Sequence, residues 1–442
     1  MPAEMIPLTQ RAGGEILARR GAEPVTVATF LAEAMALAAR LPARGPVINL
    51  CAERYLALVG FAAALIAGHT TLLSADRSAR RVQELVASHG ATAIIGDNPD
   101  ATWPLPCVVP DGARADAGPV PAIAGDHLAA IAFTSGSTGL PVAHAKPWGS
   151  LVRHAEAAAH RFGLRHADGP SATILATVPA QHMYGFETTI MLPLHSAAAV
   201  YCGANFYPTD IAEALALVPG RRMLVTTPLQ IRGQLEAGVA LPTLEAVISA
   251  TAPLASDLAA QAERAWDTRV LEIYGATEAG SLASRRTLDG EAWLPYDGIA
   301  VAIEDGAAIV DVPGLPHRVP LADALEALPE GRFRLVGRRS DVVKLAGKRA
   351  SLAGLNRILC EIEGVRDGVF MAPDDIEADP GARLSAFVVA PGHSPEQIIA
   401  ALRQRVESAF LPRPMLMVPA LPRDALGKLS RRALAALREG SA

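Results

Sequence analysis

Ile131-Ala132-Phe133-Thr134-Ser135-Gly136-Ser137-Thr138-Gly139-Leu140-Pro141 is the stretch on which the reading of this chain turns. Leu128 to Phe133 is apolar throughout and predicts a buried strand. It runs straight into six residues, Thr134 to Gly139, that are all Gly, Ser or Thr. Such a loop presents several backbone N–H groups and hydroxyls with no bulky side chain in the way, which suits the oxygens of a polyphosphate. Alone it reads equally well as an ordinary surface turn. The rest of the chain decides between the two.

On either side of this loop, strands and helices alternate. Upstream, Val47 to Leu50, Thr71 to Leu73 and Ala93 to Ile95 read as strands, separated by helices at Tyr55 to Ala67 (closed by Gly68) and Ala79 to Ser88 (stopped by Gly90). Downstream, a helix is expected over Trp148 to Phe162. Strands follow at Ala172 to Val178, Ala198 to Cys202, Met223 to Thr227, Leu244 to Ser249 and Val270 to Tyr274, with Pro208-Thr209-Asp210 opening a helix between two of them. Repeated strand–helix units with continuously apolar strands predict parallel sheets covered on both faces. Beyond Arg338 the texture changes to a β pair, a helix at Leu352 to Glu361, strands at Gly368 to Ala372 and Leu384 to Val389, and helices at Pro395 to Ala409 and from Ser430. The expected fold class is therefore α/β, a large N-terminal domain of stacked α/β sheets over residues 1–338 followed by a small α+β domain over residues 339–442.

Composition bounds the function. With 442 residues, half of them hydrophobic and 19% charged, the chain can build large cores and general disorder is excluded. A net charge of −5 without any Lys/Arg-rich run argues against nucleic acid as a partner. Cys51, Cys107, Cys202 and Cys360 lie far apart in the sequence, share no metal-ligand spacing and read as small buried hydrophobes. The longest apolar run, Tyr55 to Ala67, is too short to span a bilayer, no signal peptide is visible, and a cytoplasmic location is expected.

Four further stretches carry chemistry-bearing residues: Pro179-Ala180-Gln181-His182-Met183-Tyr184-Gly185-Phe186, Ser249-Ala250-Thr251-Ala252-Pro253-Leu254, Ile273-Tyr274-Gly275-Ala276-Thr277-Glu278, and Gly337-Arg338-Arg339-Ser340-Asp341-Val342-Val343-Lys344. A fifth, Leu421 to Arg431, holds Gly427-Lys428. The first three follow strands, where ligand sites of open α/β sheets form. Together the stretches offer a phosphate loop, an aromatic face, a carboxylate for Mg²⁺ and a lysine on a turn, a set that fits nucleotide chemistry.

With these motifs in this order, the chain resembles the adenylate-forming superfamily: acyl-CoA synthetases, aryl-CoA ligases, luciferases and the adenylation domains of peptide synthetases. The resemblance covers nearly the whole chain. It implies ATP-dependent activation of a small carboxylic acid through an acyl-adenylate, then transfer to a thiol, either CoA or the phosphopantetheine arm of an acyl carrier protein, with ATP and Mg²⁺ as cofactors. It further implies that Thr134, Ser135, Gly136, Ser137, Thr138 and Gly139 hold phosphates, that Tyr274 and Gly275 meet adenine, that Thr277 contacts the α-phosphate and that Glu278 binds the metal. Asp323 and Arg338 would grip the ribose. His182, Gly185, Phe186, Ser249, Ala250 and Thr251 would border the acyl pocket, Ser340 and Asp341 would form the hinge of a mobile C-terminal domain, and Lys428 would be the catalytic lysine. A weaker likeness, to the compact ligases of aryl polyene pigment pathways, points to a hydroxyaryl acid.

The chain also departs from the family pattern. Val142 stands where the phosphate loop usually carries Lys, the nearest base being Lys146, and Ser340 stands where the hinge usually shows Asp or Lys. Residue by residue there is a plainer reading as well: Lys428 as a surface lysine, Glu278 as a helix-start acid, and Tyr274, His182 and Phe186 as core. Two other functions are weighed against the ligase. A degenerate relative would bind nucleotide or acid without turnover. A P-loop NTPase would need Gly-x-x-x-x-Gly-Lys-Ser/Thr, which neither glycine loop supplies.

Overall fold

The computed structural model describes the chain except residues 1–3, 117, 136–140, 204–205, 305–306, 339–341, 346–347, 374–382, 424–428, 430 and 441–442. It forms two compact units. The first comprises Met1–Gly290, Leu294–Ala300 and Asp311–Val319, and the second Glu291–Trp293, Val301–Val310 and Pro320–Ala442. The second unit therefore begins earlier than residue 339 and draws in two short upstream segments.

Two sheets organise the first unit. A six-stranded sheet runs edge to edge through Pro141–Pro147, Leu128–Ser135, Thr71–Leu73, Val47–Asn49, Ala93–Ile95 and Cys107–Val108. A nine-stranded sheet runs through Leu294–Pro295, Gly280–Arg286, Arg269–Ala276, Ala246–Ser249, Arg221–Thr226, Ala172–Ala176, Ala199–Tyr201, Ile16–Arg20 and Glu23–Thr26. The central strands are parallel and buried on both faces, as their continuous apolar runs require. At the edges the expectation of purely parallel sheets fails, because Pro141–Pro147, Gly280–Arg286 and Glu23–Thr26 pair antiparallel to their neighbours. An edge strand can return through a tight turn, with no crossover helix to pack.

The strand Pro141–Pro147 is an element that sequence periodicity missed, since His144 and Lys146 break its apolar run. Its pairing makes the Ser/Thr/Gly segment the connection of a β-hairpin, with Val142 opposite Thr134 and His144 opposite Ala132. The helix Trp148–Arg161 follows directly. The helix Arg54–Ile66 has nearly every residue buried, which explains its apolar run. Among the described residues no helix is long and apolar enough to cross a membrane. Ser78 caps the helix Ala79–His89 through the Arg81 N–H, and Gly90 ends it at φ +65. Phe61 packs edge-on against Phe186 at 4.9 Å and lies 6.4 Å from Trp148, all three in one hydrophobic core.

In the second unit, Leu352–Cys360, Asp367–Met371, Ser385–Val389 and Arg431–Gly440 match the expected elements to within a residue or two. The helix from Pro395 is shorter than expected and stops at Arg403. Cys51 and Cys202 are buried as expected, whereas Cys107 is half-buried and Cys360 is exposed.

His195 follows the helical segment that ends at Leu194, with its ring 5.2 Å from Trp148 and neither ring nitrogen hydrogen-bonded among the described residues. Burial pushes its pKa down from 6.5 to about 3. Below pH ~6.5 the unfolded chain therefore takes up a proton that the folded chain refuses, and stability falls with falling pH by up to about 1.4 kcal/mol per pH unit. Melting temperatures measured from pH 7 to pH 5 should decline, and His195→Phe should flatten that decline. Parallel slopes in the two proteins would assign the acid sensitivity elsewhere.

Candidate active site

The parallel strands Ala172–Ala176, Arg221–Thr226, Ala246–Ser249 and Arg269–Ala276 are in register, so their carboxyl ends share one edge of the nine-stranded sheet. Three of the sequence motifs leave from that edge. His182 lies just beyond the first strand and precedes the helical turn Met183–Phe186. Gly185 there is dictated by space, because a Cβ would sit 2.0 Å from the Pro179 carbonyl oxygen. Tyr184 ties this turn to the strand ends, its hydroxyl donating to the Ile248 carbonyl at 2.9 Å and the Thr226 carbonyl at 3.3 Å. Phe186, expected beside the acid, is turned into the core against Phe61 and is 1% exposed.

After the strand Ala246–Ser249 comes the turn Ala250–Leu254. The Leu254 N–H donates to the Glu272 carboxylate at 3.1 Å, and Arg285 and Thr287 hold the other oxygen of that carboxylate at 2.7 and 2.9 Å. Ser249 is fully buried and its hydroxyl has no partner among the described residues. Thr251 adopts φ +78, a left-handed conformation that a β-branched residue rarely takes. Strain of this kind costs about 1–3 kcal/mol and concentrates at functional sites.

The strand Arg269–Ala276 ends in Tyr274, Gly275 and Ala276, with a bulge between Tyr274 and Gly275. Tyr274 is 8% exposed, and Thr277 and Glu278 are half-buried. Gly275 permits the return strand to approach closely, since a Cβ there would lie 2.7 Å from the Gly280 carbonyl oxygen.

The hairpin of the six-stranded sheet reaches the same turn. Lys146 is 3% exposed and donates to the Glu278 carbonyl at 3.2 Å. Burial pushes its pKa down to about 8 against the opposing pull of Glu187 and Glu278. Two positions earlier, His144 Nε2 is 2.9 Å from the Thr134 hydroxyl. Burial lowers the His144 pKa, Glu278 acts to raise it, and Lys146 adds to the lowering. Thr134 and Glu278 thus belong to one electrostatic cluster, linked by His144 and Lys146. The sequence reading assigned no role to His144, Glu187 or Glu272. The one signal for His144 and Lys146 was polar residues at alternate positions beside an apolar strand.

In the second unit, Asp323 and Arg338 are cross-strand partners in the pairing of Asp323–Ala327 with Phe333–Arg338. Close to the C-terminus, Arg423 bridges to Leu429, and its guanidinium grips both Asp367 oxygens at 2.7 Å. Lys428 itself, together with Gly136, Ser137, Thr138, Gly139, Ser340 and Asp341, lies outside the described residues. For Ser135 and Arg338 only the backbone is described.

Residues 10–319 match the family model for AMP-binding enzyme. The chain belongs to the AMP-binding enzyme family. It is similar to a 4-coumarate–CoA ligase of Rhodobacter capsulatus, 29% identical over 71% of this chain and 74% of the relative. A probable 2-succinylbenzoate–CoA ligase of Mycobacterium tuberculosis is 28% identical over 70% of this chain and 84% of its own. In fold it matches ATP-bound MatB of Rhodopseudomonas palustris with a TM-score of 0.84 at 18% identity, covering 98% of this chain and 97% of the other. It also matches the Bacillus subtilis o-succinylbenzoate CoA synthetase in complex with its acyl-adenylate intermediate, at a TM-score of 0.83 and 18% identity over 98% of each chain. The AMP-binding enzyme is thus an adenylate-forming acid–thiol ligase that uses ATP to activate a carboxylic acid.

The residues present fit a magnesium ion. Among the described residues no group of three or more His, Cys, Asp or Glu could hold a metal. Mg²⁺ in nucleotide sites usually takes only one or two carboxylates, completing its shell with waters and phosphates. Glu278, half-buried on a turn beside the hairpin, suits that single-carboxylate role.

Replacing Thr251 with Gly should remove the left-handed strain and raise the unfolding free energy by ~1 kcal/mol, read by urea titration. A less stable variant would show that the contacts of the Thr251 side chain outweigh the strain.

Proposed function

We propose that this AMP-binding enzyme activates an aryl carboxylic acid and passes the acyl group to the thiol of CoA or of a carrier-protein phosphopantetheine arm. The observation that carries the reading is the joining of the hairpin to the Thr277–Glu278 turn through Lys146, which sets the strand bearing Thr134 beside the acidic turn. Bound magnesium would supply charge neutralisation on the phosphates, with Glu278 as its protein ligand. Thr134 and the Ser/Thr/Gly segment donate to phosphate oxygens, Thr277 donates to the α-phosphate, and Tyr274 and Gly275 border the adenine. Asp323 and Arg338 serve the ribose.

The acid's carboxylate oxygen attacks the α-phosphorus, forming the acyl–phosphate bond as the bond to pyrophosphate breaks. The Lys428 ammonium stabilises the negative charge that builds up on the way. In the second step the thiol sulfur attacks the acyl carbon and AMP departs, with the thiol proton lost to solvent. His182, Gly185, Ala250, Thr251 and the unpartnered Ser249 hydroxyl border the acid. An aryl acid is favoured because two relatives from different organisms are named for aryl acids, 4-coumarate and 2-succinylbenzoate. Ser340 and Asp341 form the pivot between residues 1–338 and 339–442, so that Lys428 serves only the first step.

A second reading, a binder without turnover, rests on Val142. This residue is 49% exposed and brings no ammonium to the loop, while Lys146 is committed to the Glu278 carbonyl. Pyrophosphate release from ATP across aryl, short-chain and long-chain acids separates the two readings. Acid-dependent release with 4-coumarate or 4-hydroxybenzoate is expected, falling about 10²–10³-fold in Lys428→Ala. Preference for hexanoate or palmitate would overturn the aryl assignment, and ATP binding with no release for any acid would favour the binder. Stimulation by CoA identifies it as the acceptor, and stimulation only by a carrier protein identifies the alternative.

A further inference from the structure

We propose that the buried Lys146 and the half-buried Glu187 act as a two-handed clamp on the Thr277–Ser281 turn, positioning Glu278 for magnesium–nucleotide binding. The inference rests on the role given to Glu278 above. It concerns two residues that take no part in the chemistry of the reaction.

The turn is held from both ends. At its start the Lys146 ammonium donates to the Glu278 carbonyl at 3.2 Å. At its end Glu187 accepts from the Ser281 N–H at 3.1 Å with one carboxylate oxygen and from the Ser281 hydroxyl with the other. Between them, Gly280 has φ +88, and a Cβ on it would lie 2.8 Å from Glu187 Oε1 and 3.0 Å from His154 Nε2. The close approach of Glu187 is therefore part of why the turn needs glycine at this position.

The backbone that presents Glu187 is unusual. Glu187–Met191 is a π-helical segment in which the Leu192 N–H bonds to the Glu187 carbonyl. Pro193 accounts for the widening, because its ring clashes with the carbonyl four residues back in a regular helix. The Thr188 and Thr189 hydroxyls contribute by bonding to the Tyr184 and Gly185 carbonyls at 2.7 and 2.6 Å. Such segments recur at functional sites, where they re-aim a side chain.

An ammonium as buried as Lys146 is costly to maintain, and a hydrophobic residue would fill a strand position of this kind more cheaply. Its charge is balanced by Glu187 and Glu278, the two groups that act to raise its pKa. A merely structural pair and a positioning pair differ in one measurable respect. Neutralising both ends of a buried pair tends to restore stability, but it cannot restore the geometry of the turn.

The test is a double-mutant cycle on the full chain with Lys146→Met, Glu187→Gln and the two combined. Three quantities are read: melting temperature, hydrogen exchange of the amides of residues 277–281 in ligand-free protein, and the Mg²⁺ concentration for half-maximal pyrophosphate release. Each single variant should lower the melting temperature, speed exchange in the turn at least tenfold and raise the Mg²⁺ requirement at least fivefold. The combined variant should regain most of the melting temperature while keeping the fast exchange and the raised Mg²⁺ requirement. Wild-type exchange and Mg²⁺ dependence in the combined variant would overturn the clamp and leave a structural pair. If wild-type protein releases no pyrophosphate with any acid, the proposed function fails. The exchange and melting arms still decide the clamp: fast exchange persisting in the re-stabilised double variant supports it, and normal exchange overturns it.

Discussion

The arrangement depends on one constraint, the in-register parallel pairing of four buried strands in the nine-stranded sheet. Parallel strands must be covered on both faces, so their side chains are spent on packing and none is available for chemistry. The polar groups that could act are pushed to the strand ends. Because the register aligns those ends, His182, the Ala250–Leu254 turn and the Thr277–Glu278 turn emerge side by side although nearly a hundred residues separate the first from the last.

Keeping that edge rigid takes buried polar anchors. The Arg54 guanidinium, itself 9% exposed, donates to the carbonyls of Ala176 and Val178 at 3.0 and 2.9 Å and to the Thr189 hydroxyl at 2.9 Å. It thereby ties its own helix to the end of the first parallel strand. Glu272 does the equivalent for the turn after Ser249. Each is a charged group taken out of water, tolerated because several fixed partners hydrogen-bond to it. Against this stiff background the strain at Thr251 can persist, since the anchored turn leaves the residue no easier conformation.

In the second unit the bidentate Arg423–Asp367 pair and the bridge from Arg423 to Leu429 organise the described residues near the C-terminus. Both partners are roughly a quarter exposed, so the pair contributes geometric definition more than stability. Leu421 and Leu429 belong to a small apolar cluster with Val369, Met371 and Phe387.

The sequence by itself determined the α/β class, most helix and strand positions, and the ordered motifs by which the chain resembles its family. These depend on local periodicity, on glycine and proline placement and on residue types in order, and all of those are written along the chain. It also showed that Val142 departs from the family pattern. Only the tertiary structure decided that the strand Pro141–Pro147 exists, because a polar-interrupted edge strand is stabilised by its partner's hydrogen bonds and not by its own pattern. It alone turned Phe186 into the core and exposed Cys360, since burial depends on what packs opposite. And it alone brought Lys146, His144 and Glu187 to the Glu278 turn. Charge clusters of that kind join residues more than ninety positions apart, and no local signal records which distant backbone a buried ammonium will meet.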